Sequence, residues 1–257
     1  MKKTNIFKTL IIGAAFCFAG LTANAQFEFG LSLTGGIPTG AMGKALPQSA
    51  TGVYGNAQGL MGTQYLMNSS SMLLGGAFRF GYRIAIYNGE YGEVLPYAEL
   101  NFLWNRPKKA VREQYDKNDD SYPHYINLPI YIGAQYRYPV TDIIKPYAEF
   151  GIGYDALLVT NEIGKNTDDY RYKTNGSISG NVGVGCFFSD WVSVGIYYYG
   201  FGLHKVKLKD NSIVSPAVWP CETAQQHAER LAQVTDPNTR DYGTVALRLN
   251  FHFAARK

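Results

Sequence analysis

Strict alternation of apolar and polar residues runs through most of the sequence after residue 25, and it limits the possible folds more than any other feature. Phe27, Phe29, Leu31 and Leu33, for example, alternate with glutamate, glycine, serine and threonine. The same period of two recurs at residues 78–86, 98–104, 126–138, 148–154, 178–188, 192–198 and 245–253. Because successive side chains of a β-strand point to opposite faces, the pattern predicts eight strands with one apolar face each.

The segments between these strands alternate between short and long. The short ones are residues 88–92, 139–145 and 189–191, and the long ones are 38–71, 105–124, 161–176 and 201–241. Such alternation predicts an antiparallel up-and-down meander with tight turns at one end and long loops at the other. Both chain ends then fall on the short-turn side, and a single domain is expected.

Residues 1–25 have the features of an export signal. Lys2 and Lys3 precede an apolar run at residues 10–21, and Ala23-Asn24-Ala25 forms a small-residue cleavage site. We therefore expect a signal peptide at 1–25 and one β-barrel domain at 26–257. Cys17 follows a phenylalanine where a lipoprotein needs a small residue, so no lipid anchor is expected. Three of the four net positive charges lie in this segment, and the nearly neutral remainder gives no reason to expect a nucleic-acid partner.

The polar face of the strands differs from an ordinary water-facing surface. It is rich in glycine, holds no lysine and balances carboxylates against arginines, the residues favoured for buried ion pairs. This composition predicts a crowded polar lumen and a lipid-facing apolar exterior, whereas a soluble lipocalin-like barrel would reverse the two faces. The expected lumen network consists of Glu28, Arg79, Arg83, Glu99, Arg137, Glu149, Asp155 and Arg248.

Aromatic residues on the apolar face cluster near the strand ends, as in the two interfacial belts of membrane barrels. Those near the short turns are Phe27, Tyr138, Phe188, Phe251 and Phe253, and those near the long loops are Trp104 and Tyr198. In hydrocarbon a sheet cannot leave edges unpaired. The strands Gln26–Gly35 and Gly243–Phe253 are therefore expected to pair and close an eight-stranded transmembrane β-barrel with short periplasmic turns and long extracellular loops.

A repeat fixes the relative height of two carboxylates. The segments 96–100 and 146–150 both begin Pro-Tyr-Ala-Glu just after a short turn, which places Glu99 and Glu149 at one level of one face. We expect Arg79 and Arg83 to bracket Glu99, and Arg137 and Gln135 to lie beside Glu149. Together they predict a salt-bridged plug, with a gated ion path as the alternative.

Several segments resemble the small outer-membrane β-barrel (porin-like) family of Bacteroidetes-type bacteria. They are the Pro-Tyr-Ala-Glu repeats, the strand 126–138 and the glycine-rich strand 182–185. The resemblance implies an eight-stranded barrel, located in the Gram-negative outer membrane, that is inserted by the outer-membrane assembly machinery among outer-membrane lipids and lipopolysaccharide. One member type of this family assists protein secretion, so an extracellular or secretion-system partner is a further expectation.

One feature departs from that family pattern, and a second, a proline that the family pattern shares, departs from the usual composition of a central strand. Such barrels usually end on an aromatic residue, whereas here Phe253 is followed by four more residues. Pro129 falls within a central strand, where it removes a ladder hydrogen bond, and we expect a local bulge to accommodate it.

The long loops are the second place where function is expected. Met42, Met61 and Met67 lie in loop 38–71, and the helical spacing of apolar residues predicts a short amphipathic helix at 222–234. Cys221 and Cys186 are expected at opposite ends of the molecule, without a disulfide between them.

The resulting expectation is a structural or surface-binding protein that needs no cofactor or metal. Transport of a small solute or an apolar ligand is an alternative, and so is a lipid-modifying outer-membrane enzyme. An enzyme of that kind would use a serine, a histidine and an acid near the outer rim, for which the loops offer Ser121, His124, His204, Asp210 and Ser212. Because no spacing ties these residues together and no metal or phosphate-binding motif occurs, an enzyme is not the expected reading.

Overall fold

The computed structural model describes residues 26–40, 42–43, 70–109, 112–113, 122, 124–160, 172–208 and 238–254. The proposed signal peptide, Met61, Met67, Ser121, Asp210, Ser212, Cys221 and the predicted helix at 222–234 lie outside these ranges. Cys186 is a free cysteine.

Nine strands form one antiparallel sheet. They are β1 (Gln26–Gly40), β2 (Leu73–Ala85), β3 (Glu93–Asn105), β4 (His124–Arg137), β5 (Lys145–Thr160), β6 (Tyr172–Thr174), β7 (Ser177–Ser189), β8 (Val192–Leu208) and β9 (Asn238–Ala254). Eight of them pair with their neighbours in chain order, and β9 pairs with β1 as well as with β8. The three-residue β6 adds only to the long-loop end of β8. The predicted closed, eight-stranded up-and-down barrel is confirmed.

The strands are staggered around the barrel. If one starts at Thr34 on β1 and moves each time to the paired residue of the next strand, the path through β2, β3 and β4 reaches Leu157 on β5. In the other direction, they lead through β9, β8 and β7 to Tyr147 on the same strand. The two routes differ by 157 − 147 = 10 residues, which is the shear that tilts the strands and sets the barrel's width.

Strand ends on the long-loop side extend further than the alternation predicted. The strand β1 continues to Gly40, β8 continues to Leu208 and β9 begins at Asn238. A bulge between Gly200 and Gly202 shifts the register of β8 against β9. Gly202 has a φ of 79°, and a Cβ there would lie 2.1 Å from the carbonyl oxygen of Ile178, so this bend requires glycine.

Pro129 is accommodated differently from the prediction. The pairing of β3 with β4 stops after Leu100–Ile130 and resumes at Leu103–Asn127 in the same register. The expected bulge is therefore wrong: because proline has no N–H to donate, the ladder is interrupted here without an inserted residue.

The two faces of the barrel wall have opposite chemistry. Large apolar side chains on the outside are about half exposed or more, including Leu33, Ile132, Phe150, Ile152 and Leu247. The charged residues of the alternating polar face point into the lumen, where nearly all are buried. An apolar exterior around a polar interior is the surface of a transmembrane barrel of the outer-membrane type. Among the described residues, no helix is long and apolar enough to cross a membrane.

Candidate functional site: the polar lumen

The eight predicted network residues all face the lumen. Seven are buried, namely Glu28, Arg79, Glu99, Arg137, Glu149, Asp155 and Arg248, and Arg83 is half-buried. The alternation of each strand brings them to one face, and the stagger of the barrel decides which of them meet across the lumen. Their contacts divide them into a central ionic group, an inner ionic group near the short turns, and a separate acid–histidine pair.

The central ionic group consists of Arg79, Glu99, Glu149 and Arg248. Arg79 donates from both terminal nitrogens to Glu149, at 2.9 and 2.6 Å, and from Nε to Glu99 at 2.7 Å. Arg248 donates to both oxygens of Glu99 at 2.9 and 2.6 Å. The repeated glutamates thus share Arg79, as their equal height in the repeat suggests. Bidentate arginine–carboxylate pairs are among the strongest hydrogen-bonded contacts in proteins.

The inner ionic group is built around Glu28. Arg137 donates to both carboxylate oxygens of Glu28, and Arg83 donates to Oε2 at 2.6 Å. His252 Nδ1 lies 2.9 Å from Glu28 Oε1. Arg83 also lies 3.5 Å from Glu93. One buried carboxylate therefore holds two arginines and a histidine close to the short-turn end.

Gln135 joins the two ionic groups. Its Nε2 donates to Glu149 at 2.6 Å, and its Oε1 accepts a hydrogen bond from Arg137 Nε at 2.6 Å. Seven charged or amide side chains from β1, β2, β3, β4, β5 and β9 thereby form one connected set across the lumen. We call this set the lumen network; it consists of Glu28, Arg79, Glu99, Gln135, Arg137, Glu149 and Arg248, with Arg83 at its edge.

Two of the expected neighbours are corrected by the geometry. Arg79 and Arg83 were expected to bracket the height of Glu99; Arg79 contacts Glu99, whereas Arg83 contacts Glu28 and Glu93. Arg137 was expected beside Glu149, but it reaches Gln135 and Glu28. The reason is the stagger of the strands, which brings side chains of different strand positions to one height.

Asp155 does not contact the arginines of the lumen network. It lies nearer the long loops, where its Oδ2 is 3.0 Å from Nε2 of the buried His204. The two nitrogens of that ring also face backbone carbonyls, Nδ1 that of Asn175 at 2.8 Å and Nε2 that of Phe201 at 2.9 Å. Each nitrogen thus faces acceptors only. His204 was expected as a loop residue at the outer rim, and it is instead a structural contact between β5, β8 and Asn175, which directly follows β6.

Tyrosines surround the ionic groups. The guanidinium of Arg79 lies 3.9 Å from the ring centre of Tyr97, and that of Arg248 lies 5.1 Å from the ring centre of Tyr197. Tyr197, Tyr199 and Phe201 stack successively along β8. The predicted network did not include these rings, although the sequence held a signal for Tyr97, which lies two residues before Glu99 and therefore on the same strand face.

A second missed arrangement joins Ser193, His252 and Glu28. Ser193 Oγ lies 3.0 Å from His252 Nε2, and the other ring nitrogen lies 2.9 Å from Glu28. This is the order of nucleophile, base and acid in serine hydrolases. Here, however, each of the three residues is at most 3% exposed. Glu28 is already bound by two arginines, and the ring of Phe187 packs on that of His252 with their centres 4.5 Å apart. A carbonyl substrate would have to displace that packing to reach Ser193.

His124, the other histidine considered for catalysis, is part of an aromatic cluster. Its Nδ1 accepts a hydrogen bond from Trp104 Nε1 at 2.9 Å, and its ring stacks on Tyr122 at 5.3 Å. The serines proposed to act with it lie outside the described residues. Within the described ranges, no group of three or more His, Cys, Asp or Glu side chains is arranged to hold a metal ion.

Comparisons with known proteins give the following likenesses. No protein-family model and no curated protein matches the sequence. The chain is similar to the solved structures of the outer membrane enzyme PagL (14% identity, 86% of this chain and 97% of that one, TM-score 0.39), Neisserial surface protein A (10%, 90% and 99%, 0.39) and the outer membrane protein OprG from Pseudomonas aeruginosa (10%, 91% and 97%, 0.39). Likenesses of this degree carry no argument about function, so the assignment to small outer-membrane barrels rests on the barrel's own closure and on the chemistry of its two faces.

Proposed function

We propose that this protein is a non-conducting integral outer-membrane barrel with a structural or surface-binding role, which it performs by presenting its long loops at the cell surface. The observation that carries this proposal is the lumen network, which connects six of the eight barrel strands through buried ion pairs and hydrogen bonds. The outward apolar residues are its contact with outer-membrane lipids.

Two physical arguments support a closed lumen. The interior of an eight-stranded barrel has room for its own side chains or for one small ligand, whereas open aqueous channels belong to barrels of about twice as many strands. In addition, each carboxylate of the central ionic group is held by two donor side chains or more, so opening a path means breaking several charge-assisted hydrogen bonds at once. Removing one partner from such a buried pair leaves an uncompensated charge, which is strongly unfavourable.

Single-channel recording of the purified protein in planar bilayers tests the proposal. We expect no steady conductance steps from the wild-type barrel. The Glu99→Ala variant leaves Arg79 and Arg248 without a shared carboxylate, and we expect brief, irregular openings from it. Glu113→Ala is the matched control, because Glu113 forms an exposed ion pair with Lys109 away from the lumen. Steady nanosiemens conductance of the wild type would overturn the closed lumen and favour the gated ion path.

The proposed partners follow from location. Outer-membrane lipids and lipopolysaccharide would contact the apolar wall, and the outer-membrane assembly machinery would insert it. A partner from outside the cell or from a secretion system would bind at the long-loop end. Copurification from outer membranes, with and without shaving of the long loops by external protease, measures this: a partner bound there is lost on shaving, whereas one that stays bound contradicts a loop site.

A further inference from the structure

The imidazole ring of His204, at the long-loop end of β8, is enclosed by hydrogen-bond acceptors. Its Nδ1 lies 2.8 Å from the carbonyl oxygen of Asn175. Its Nε2 lies 2.9 Å from the carbonyl oxygen of Phe201 and 3.0 Å from Oδ2 of Asp155. A neutral imidazole carries one N–H and one lone pair. In the neutral form, one ring nitrogen would therefore direct its lone pair at a backbone carbonyl oxygen, which is an unfavourable contact.

All three contacts are favourable only when both ring nitrogens carry a proton. A proton placed on Asp155 instead would still leave one of the two backbone carbonyls without a donor from the ring. In addition, neither oxygen of Asp155 has an aligned hydrogen-bond donor in the described part of the chain, and its side chain is fully buried. A buried carboxylate needs a positive charge close by. The geometry thus favours an imidazolium ion paired with a carboxylate.

The other two histidines in the described part of the chain have different surroundings. His124 Nδ1 accepts a hydrogen bond from the indole nitrogen of Trp104, a group that can only donate, so this nitrogen carries no proton. His252 lies between a carboxylate, which accepts from Nδ1, and a serine hydroxyl, which can donate to Nε2. A neutral ring suits both of these sites, whereas the site of His204 requires a charged one.

Asp155 is the charged side chain that contacts the ring of His204 among the described residues. Two phenols lie close to the pair: the ring of Tyr242, from β9, stacks on the imidazole at 5.5 Å, and Tyr131, from β4, interacts with the charge of Asp155. Both phenols are uncharged at neutral pH. The charged residues that neighbour His204 in the strand register are Lys173, Lys205, Arg240 and Asp241. The charge state of the ring is therefore set mainly by Asp155 and the two carbonyls.

The contacts of the ring connect separate parts of the long-loop end. Asn175 directly follows β6, and its backbone N–H donates to the carbonyl oxygen of Lys205 at 3.2 Å. Phe201 lies in the bulge of β8, and Asp155 lies on β5. Since β8 has 17 residues and a strand crosses a membrane with about 9–11, this end of β8 extends beyond the hydrocarbon. One ring thus holds β6 and the bulge against β5 on the outer side.

We propose that Asp155 and His204 form a pH-sensitive clamp that fastens β6, and with it one end of the segment between β5 and β7, to the barrel. When the ring loses a proton as the pH rises, the remaining proton stays on Nε2, where a carboxylate and a carbonyl accept it. Nδ1 then presents its lone pair to Asn175, and this contact is lost. As the pH falls, both nitrogens keep their protons, so the clamp opens only at high pH. The inference goes beyond the proposed function and holds for a closed or a conducting barrel.

Nitrogen NMR of the ¹⁵N-histidine-labelled full mature protein in lipid bilayers tests the charge state. The measurement is made at about pH 7.5, where an ordinary histidine, which titrates near about 6.5, is mostly neutral. We expect two protonated ring nitrogens for His204, and one protonated and one unprotonated nitrogen for His124 and for His252. Each signal is assigned by its loss in the corresponding His→Gln variant. An unprotonated ring nitrogen on His204 would overturn the proposal.

Amide exchange tests whether the ring holds β6. In the wild type, exchange of the Asn175 amide is expected to accelerate at the pH where His204 titrates, beyond the rise shared by other amides of the sheet. In Asp155→Asn, at about pH 7.5, we expect a neutral ring and at least about tenfold faster exchange of Asn175, because a hydrogen bond from a charged donor is lost. Asp241→Asn removes an exposed carboxylate at a neighbouring position and is expected to change neither readout. Exchange of Asn175 that ignores the titration of His204 would refute the clamp.

Discussion

Arg79 and Glu149 lie on strands separated by two others, yet they form a two-fold hydrogen-bonded ion pair across the lumen, with distances of 2.9 and 2.6 Å. Neighbouring strands are already joined by their backbone hydrogen bonds, so a side-chain pair between them adds little restraint. A pair that spans the lumen instead restrains opposite parts of the wall, and it does so where both side chains are buried.

The first prediction concerns the stability of this pair. Glu149→Ala leaves Arg79 with one carboxylate partner and removes the acceptor of Gln135, so we expect the free energy of unfolding to fall by about 3–5 kcal/mol. Urea titration in lipid vesicles, followed by the heat-modifiable shift in gel mobility, measures it. Glu113→Ala removes only an exposed i,i+4 partner and is expected to leave the midpoint unchanged. Similar midpoints for both variants would show that the lumen pair contributes little.

The second prediction concerns the link between the two ionic groups. Gln135→Leu removes two hydrogen bonds to charged groups, and we expect a loss of about 3 kcal/mol in the same titration. Asn101→Leu removes one such bond, to Glu99, and its loss is expected to be clearly smaller. If Asn101→Leu were the more damaging change, Gln135 would not be the link that we describe.

The third prediction concerns crowding inside the wall. A Cβ on Gly133 would lie 2.1 Å from the carbonyl oxygen of Phe150 and 2.7 Å from the ring of Tyr97. We expect Gly133→Ala to abolish most of the folded, heat-modifiable fraction. Gly35→Ala is the control, because its nearest neighbour, a methyl carbon of Leu74, would be 3.9 Å away. Normal assembly of Gly133→Ala would show that the ring of Tyr97 and the backbone of β5 can shift.

The fourth prediction concerns the Ser193–His252–Glu28 arrangement. Because Phe187 packs on His252 and all three side chains are buried, we expect a fluorophosphonate probe not to label the protein in membranes. Mass spectrometry of Ser193 gives the readout, with a known serine hydrolase as the positive control. Labelling that disappears in Ser193→Ala but persists in Ser189→Ala would instead support an acyl-transfer enzyme.

Much of the fold followed from local sequence rules. The alternation of apolar and polar residues predicted the eight barrel strands and the face on which each side chain lies. The loop lengths predicted the order of the strands in the sheet and which end of the barrel has the short turns. Both patterns can be read from residues that are close together in the sequence. The strand ends on the long-loop side were missed at Leu208 and Asn238, where the alternation fades. For the lumen, the sequence predicted which charged residues face inwards, but not which of them contact each other. Which arginine meets which carboxylate depends on the stagger around the barrel, a property of the closed sheet that no single strand encodes.

The pairing of β1 with β9 also has a consequence for biosynthesis. Glu28 lies opposite Ala254, so this seam joins the first and the last strand of the barrel. Without β9, one edge of β1 has backbone N–H and C=O groups with no strand partner, and hydrocarbon offers them none. A chain that lacks either strand therefore cannot form a wall that is stable in hydrocarbon, so both strands must be present before the barrel can be completed in the membrane.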